Sequence, residues 1–168
     1  MTAPEAGRLR RLGLITAFVG LVLDQATKLW LLFVYELEFR QPVALLPVFD
    51  LVAVWNRGIS YGLFQQNTEM GRAILLGITA IALVFMSVWL WRAQSRLVVL
   101  ALGLIIGGAI GNGIDRVAYG AVFDFAHFHF RGFSWYIFNL ADVWIVAGVV
   151  GLLIDAFRDR PENATKRQ

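Results

Sequence analysis

Apolar residues crowd into four stretches of the chain, at about 12–35, 73–91, 97–114 and 136–154. At about 18 residues or more, each is long enough to cross a hydrocarbon core of roughly 30 Å as a helix. The first carries Asp24 and Lys28, the second has no charge, and the fourth holds Asn139 and Asp142 near its start. Elsewhere the pattern changes. Phe49–Asn56 is rich in Val and Leu, and in Val122–Phe130 aromatics alternate with Asp124, Ala126, His127 and His129. β-branched or aromatic content with partial alternation predicts short strands, here a small sheet on the outer membrane face. The expected fold is therefore a membrane all-α protein, a four-transmembrane-helix bundle with a small extracytoplasmic β element. No repeat or linker divides the chain, which predicts one domain over residues 1–168.

The third stretch adds a packing signal. Gly103, Gly107 and Gly111 recur every four residues, with Gly108 beside them, and small residues at that spacing let another helix approach closely. Tight packing inside the bundle explains them better than dimerisation, and a monomer is expected.

Charge sets the orientation. Arg8, Arg10 and Arg11 precede the first stretch, Arg92 and Arg96 fill the short link after the second, and Arg158, Arg160, Lys166 and Arg167 follow the fourth. Basic flanks favour the cytoplasmic side, so both termini are expected there. The loops at about 36–71 and 115–135 then face outward. Trp30, Phe33, Tyr35, Trp89 and Trp91 suit interfacial belts. The basic, then apolar, amino terminus resembles a leader peptide, but its apolar stretch is too long, and a retained span is expected.

Composition narrows the class further. Of 168 residues, 58% are hydrophobic and 16% charged, which is too apolar for an ordinary soluble domain. The absence of cysteine excludes disulfide scaffolding and thiol chemistry. The net charge of +3 lies in the cytoplasmic flanks and reflects topology rather than nucleic-acid binding.

Against this apolar background the carboxylates stand out, because ionisable groups in a membrane setting pair, conduct or catalyse. Asp24 and Lys28 are four apart and share a helix face; they form either a self-neutralising pair turned into the bundle or a substrate-orienting pair. Gly108, Asn112 and Arg116 share another face, with Asp115 preceding Arg116. Asn139 and Asp142 are one turn apart, and Asp142 is either a helix-start acid satisfied by local amides or a functional group. Asp124 lies between Phe123 and Phe125, whose aromatic walls would push it toward its protonated form. If Asp124 and Asp142 converge, one holds a proton while the other serves as a base, and together they can activate water against a peptide carbonyl. His127 and His129 point the same way along a strand, a minority reading as metal ligands, since no third ligand stands at a convincing spacing. No cofactor is expected. The rival is a proton-coupled transporter with Asp24, Lys28 and Asp142 as its relay.

Five motifs then fall into order: Asp24-Gln25-Ala26-Thr27-Lys28, Asn56-Arg57-Gly58, Gly107 through Arg116, Phe123-Asp124-Phe125, and Phe138-Asn139-Leu140-Ala141-Asp142. From Asp24 to Asp142 the chain resembles the lipoprotein signal peptidase (signal peptidase II) family of bacterial inner-membrane aspartic proteases. The resemblance implies that Asp124 and Asp142 are the catalytic pair. It further implies that Asp24, Lys28, Asn56, Gly108, Asn112, Arg116 and Asn139 shape or support the site. The implied substrate is a diacylglyceryl-modified prolipoprotein, cut just before its lipidated cysteine while the lipid stays in the membrane. The chain departs from the family pattern at Arg57 and at Ile59-Ser60-Tyr61-Gly62, which bears on the substrate loop. It departs again at Val143 and Trp144, where the family commonly places Ser and a small residue.

Overall fold

The computed structural model describes residues 2–58 and 69–158. Helix α1 spans Ala3–Phe33 and is followed by a single turn, α2, at Leu37–Arg40. Strands β1 (Val43–Leu46) and β2 (Phe49–Asn56) precede α3 (Glu69–Arg92) and α4 (Arg96–Tyr119). Strands β3 (Val122–Phe130) and β4 (Phe133–Ser134) lead into α5 (Leu140–Arg158). The four long helices are long and apolar enough to cross a membrane, as the four stretches predict.

Their ends differ from the hydropathy boundaries, and the reasons are local. Helix α1 begins well before residue 12 because Thr2 and Glu5 form a capping box, with the Glu5 carboxylate accepting from the Thr2 backbone N–H at 2.7 Å. Such a box satisfies backbone donors that an unfinished helix end leaves open. Helix α4 continues to Tyr119, past the hydropathy boundary, so Asp115 and Arg116 lie on the helix, as the face Arg116 shares with Gly108 and Asn112 predicts. Gly120, at φ 76°, stops it, since only glycine adopts that backbone cheaply. Helix α5 starts at Leu140, and the preceding Phe138 bridges to Ala126 of β3 instead of beginning a span.

Helix α4 is the axis of the bundle. Most of its apolar stretch is buried, whereas α3 buries few residues, Gly71, Leu75 and Leu90 among them, and leaves most of its surface exposed. The glycine stripe explains how closely α4 is approached. A Cβ at Gly103 would come within 2.5 Å of the Gly13 carbonyl of α1, and one at Gly107 within 2.5 Å of the Ala17 carbonyl. One position on, Gly108 faces α5 instead, with the Ala141 carbonyl 2.5 Å from where a Cβ would stand.

The four strands form an antiparallel sheet in the order β1-β2-β3-β4. Strands β2 and β3 occupy the two segments whose alternation predicts them. Their register pairs Asn56 with Val122 and Val54 with Asp124, with an irregularity between Leu51 and Val54. One sheet face packs Phe123 and Phe125 against Leu31 and Leu37 at the end of α1. Because strand side chains alternate faces, Asp124 is turned the other way, toward the helices. Among the residues used to read orientation, Arg160, Lys166 and Arg167 lie outside the described residues.

Candidate active site

Asp124 on β3 and Asp142 in the first turn of α5 open onto one cavity of about 350 Å³. Asn56, Gly58, Asn112, Arg116 and Tyr136 line its polar side, and Ile78, Ala82, Ile145 and Val146 its apolar side. Asp124 is buried, at 2% exposure, and Asp142 is half-buried.

Three asparagines hold the two carboxylates, and each is oriented by a donor that admits only one amide placement. The Asn56 Oδ1 accepts from the Gly58 backbone N–H at 2.9 Å, which leaves its Nδ2 to donate to Asp124 Oδ2 at 3.0 Å. Asn139 Oδ1 accepts from the Asp142 backbone N–H at 3.1 Å, and its Nδ2 donates to Asp124 Oδ1 at 2.6 Å. Asn112 Oδ1 accepts from the Lys28 ammonium at 3.0 Å and from Asn139 Nδ2 at 3.1 Å, so its own Nδ2 donates to Asp142 Oδ1 at 3.0 Å. Asp142 Oδ2 accepts from the Asn139 backbone N–H at 3.1 Å. Every carboxylate oxygen thus receives one neutral N–H, and a carboxylate has about four acceptor sites.

The two readings of Asp142 turn out to be compatible. Asn139 and Asp142 exchange backbone bonds as a reciprocal cap of α5, and the same pair presents its remaining groups to Asp124 and Asn112. The aromatic explanation for Asp124 is corrected. Phe123 and Phe125 lie on the opposite sheet face, in the α1-side core, and do not wall the carboxylate. Its pKa is nevertheless raised, to about 7, first by burial and second by the charge of Asp142, against the opposing pull of Asn56, Asn139 and Lys28. Loss of hydration and a like charge both disfavour ionisation.

Below the dyad sits a second, closed cluster. Lys28 Nζ lies 2.9 Å from Asp24 Oδ2 and 2.8 Å from Asp115 Oδ2, with all three side chains at most 2% exposed. Gln25 Nε2 donates to Asp115 Oδ1 at 3.0 Å and to the Gly111 carbonyl at 3.2 Å. Asp24 Oδ1 accepts from the Ala141 backbone N–H at 2.9 Å, and Asp115 Oδ2 from the Phe123 backbone N–H at 3.2 Å. The cluster therefore ties α1 to the residues adjoining both Asp142 and Asp124. Of the two readings for Asp24 and Lys28, the pair turned into the bundle is the one seen. Asp115 and Gln25 are the members that sequence reasoning missed; the four-residue step from Gly111 to Asp115, facing α1, was the available signal.

Arg116 spans the cavity rim, donating from Nη2 to the Gly58 carbonyl at 2.9 Å and from Nη1 to the Asn112 carbonyl at 3.3 Å. Its buried Nε–H has no partner among the described residues. Gly108 carries no polar group and serves by admitting Ala141 closely. The histidines are elsewhere: His127 Nε2 lies 2.7 Å from Ser134 Oγ, and His129 Nε2 lies 2.9 Å from Asp50 Oδ2. Among the described residues no three His, Cys, Asp or Glu side chains gather as for a metal. Trp144, a departure from the family pattern, donates from Nε1 to the Gly20 carbonyl at 3.1 Å and ties α5 to α1. Val143 is exposed, and Ile59 to Gly62 lie outside the described residues.

Four apolar helices and a cavity with paired carboxylates, in a chain without cysteine, fit a membrane peptidase of the aspartic class. Residues 16–158 match the family described as signal peptidase (SPase) II, and the chain belongs to that family. It is 62% identical over 144 residues, 86% of this chain and 87% of the relative, to a lipoprotein signal peptidase of Methylobacterium sp. (strain 4-46). It is 59% identical over 148 residues, 88% of this chain and 89% of the relative, to one from Beijerinckia indica. Two solved structures of bacterial membrane enzymes share its fold, each at 24% identity. One superposes with a TM-score of 0.78 over 93% of both chains, the other with 0.75 over 88% of this chain and 93% of the other. The protein is thus a bacterial membrane protein, and the transporter alternative is set aside.

Proposed function

We propose that Asp124 and Asp142 are the catalytic pair with which this peptidase removes the signal peptide from diacylglyceryl-modified prolipoproteins, cutting just before the lipidated cysteine. The supporting observation is that two carboxylates from different elements share one cavity and are gripped by neutral amides alone. With no ammonium or guanidinium bonded to either among the described residues, the pair is free to hold a single proton.

Asp124, whose pKa of about 7 keeps it protonated below neutrality, is the acid, and Asp142 is the base. Asp142 takes a proton from water as the water oxygen bonds to the scissile carbonyl carbon. Asp124 gives its proton to the carbonyl oxygen, forming a neutral gem-diol. In the second step a diol hydroxyl returns its proton to Asp124 while Asp142 delivers its proton to the peptide nitrogen. The C–N bond breaks, and the products are a carboxylic acid and an amine. Positioned acid–base groups of this kind each contribute about 10²–10⁴-fold. The orphan Nε–H of Arg116 would donate to a substrate carbonyl, and Asn56 and Asn139 hold Asp124 in place.

The dyad lies at the end of the bundle away from the Arg-rich helix ends, which supports catalysis on the extracytoplasmic side under the positive-inside rule. There the lipid tails stay in the bilayer while the peptide bond reaches the cavity. The enzyme acts as a monomer, as one domain, without nucleic acid. The test is cleavage of a synthetic prolipoprotein, with and without diacylglycerol on its cysteine, by the parent and by Asp124→Asn and Asp142→Asn. Lipid-dependent cleavage lost in both variants is expected. A folded variant that cleaves at the parental rate would sink the dyad assignment.

A further inference from the structure

At the opposite end of the bundle from the dyad, a cavity of about 810 Å³ lies between the start of α1 and the start of α4. Arg8 and Arg11 of α1 and Arg96 of α4 line it, together with Leu12 and Ile15 further along α1. Arg8, Leu12 and Ile15 fall on one helical stripe, with Arg11 beside them. The lining therefore passes from cationic to apolar in the direction in which the helix enters the membrane. Ile15 is 59% exposed on the protein surface, open to an acyl chain.

The neighbouring arginine makes the contrast. Arg10 is engaged, with Nε donating to the Trp91 carbonyl at 3.1 Å and the guanidinium 5.1 Å from the Trp91 ring centroid. Arg8, Arg11 and Arg96 have no such partner among the described residues. The one carboxylate in the lining, Glu5, is occupied as the cap of α1, accepting from the Thr2 N–H at 2.7 Å and the Thr2 hydroxyl at 3.0 Å. Three unpaired guanidiniums from two helices thus converge on a space with an apolar floor.

We infer that this cavity is a binding site for an anionic phospholipid, its phosphodiester held by Arg8, Arg11 and Arg96 and its acyl chain lying along Leu12 and Ile15. The guanidinium fork matches phosphate oxygens, and basic pockets between transmembrane helices take anionic headgroups. A soluble phosphate would satisfy the same arginines, but it would leave the apolar part of the lining unused. The lipid is favoured because head and tail partners are stacked in the right order along one helix.

The experiment uses the full chain in detergent and counts bound lipid by native mass spectrometry, titrating phosphatidylglycerol against phosphatidylcholine. With about a five-fold contribution per arginine near an anionic lipid, phosphatidylglycerol should bind the parent at least about ten-fold more tightly. The preference should vanish in the triple variant Arg8→Gln/Arg11→Gln/Arg96→Gln. It should persist in Arg92→Gln/Arg158→Gln, which removes two basic residues that end α3 and α5 and do not line the cavity. Inorganic phosphate at millimolar concentration should not displace the lipid. Equal affinity for the two lipids, retention of the preference in the triple variant, or an equal loss in the Arg92/Arg158 control would overturn the site. Displacement by inorganic phosphate would replace the lipid by a free anion and equally overturn the proposal. Because lipid binding is read directly, failure here leaves the dyad assignment untouched, and the reverse also holds.

Discussion

Two groups of buried aspartates lie side by side in this protein and are treated in opposite ways. Asp24 and Asp115 close on Lys28 at 2.9 and 2.8 Å and are capped further by Gln25 and backbone N–H groups. Among the described residues, Asp124 and Asp142 receive only asparagine amides and one backbone N–H, and they face a cavity. Carboxylates that share a buried ammonium and are capped by further N–H donors are held in place, whereas carboxylates held by neutral donors can exchange a proton. Asn112 joins the two groups, accepting from Lys28 and donating to Asp142. The closed cluster thus orients the open one without adding charge to it.

The largest effects should separate the two groups by kind. Asp142→Asn or Asp124→Asn should lower cleavage by at least about 10³-fold, the scale of lost acid–base catalysis, while thermal unfolding in detergent stays within a few degrees of the parent. Lys28→Met should do the reverse to stability. Removing one partner of a buried ion cluster costs about 3–5 kcal/mol, so the midpoint should fall sharply. An Asp124→Asn protein that unfolds as readily as Lys28→Met would erase the distinction between the groups.

Gly108→Ala comes next. The added Cβ meets the Ala141 carbonyl at 2.5 Å and Ile145 Cγ1 at 2.9 Å, and a backbone carbonyl cannot rotate away as a side chain can. Forced packing of this kind costs about 1–3 kcal/mol. It also pushes the first turn of α5, with Asp142, away from α4. Activity should therefore fall at temperatures where the variant is still folded, whereas Gly77→Ala, with nothing within 4 Å, should be silent.

Much of this arrangement was legible in the sequence. The four apolar stretches and the alternation in Phe49–Asn56 and Val122–Phe130 name the long helices and the two central strands, because hydrophobic period reports directly which face is buried. Helix ends were less legible. Hydropathy marks the hydrocarbon and not the helix, so the capped start of α1 and the polar end of α4 fell outside it. Strands β1 and β4 and the single turn α2 are short and depend on pairing and packing partners distant in sequence. In the site, the polar pairs at helical spacing were found, but Asp115 was passed over. Lys28 already had a partner four residues away, and only the folded bundle reveals that it serves two.

The acid–base comparison can be sharpened by pH. With the Asp124 pKa raised to about 7, cleavage should decline as pH rises through that value and the acid loses its proton. Stability carries the same signature. A carboxyl whose folded pKa lies above its unfolded one contributes stability that is complete below the unfolded pKa and is lost as pH rises through the folded one. The parent should thus lose stability between the ordinary carboxylate range and neutrality relative to Asp124→Asn. Cleavage that stays flat across neutrality would transfer the proton-holding role away from Asp124.

The smallest effect belongs to a further aspartate, Asp50, which meets His129 across the sheet at 2.9 Å with side chains 21% and 36% exposed. Here water reaches both side chains, and exposed pairs of this kind contribute at most about 1 kcal/mol. His129→Gln should shift the unfolding midpoint by no more than a degree or two and leave the cleavage rate at the parental value. The pair resembles the Lys28 cluster in composition but lacks its burial and its link to an asparagine that touches the dyad. A substantial loss of cleavage in His129→Gln would show that the outer part of β3 governs Asp124. The division between fixed and exchanging carboxylates would then have to include the sheet as well as the helices.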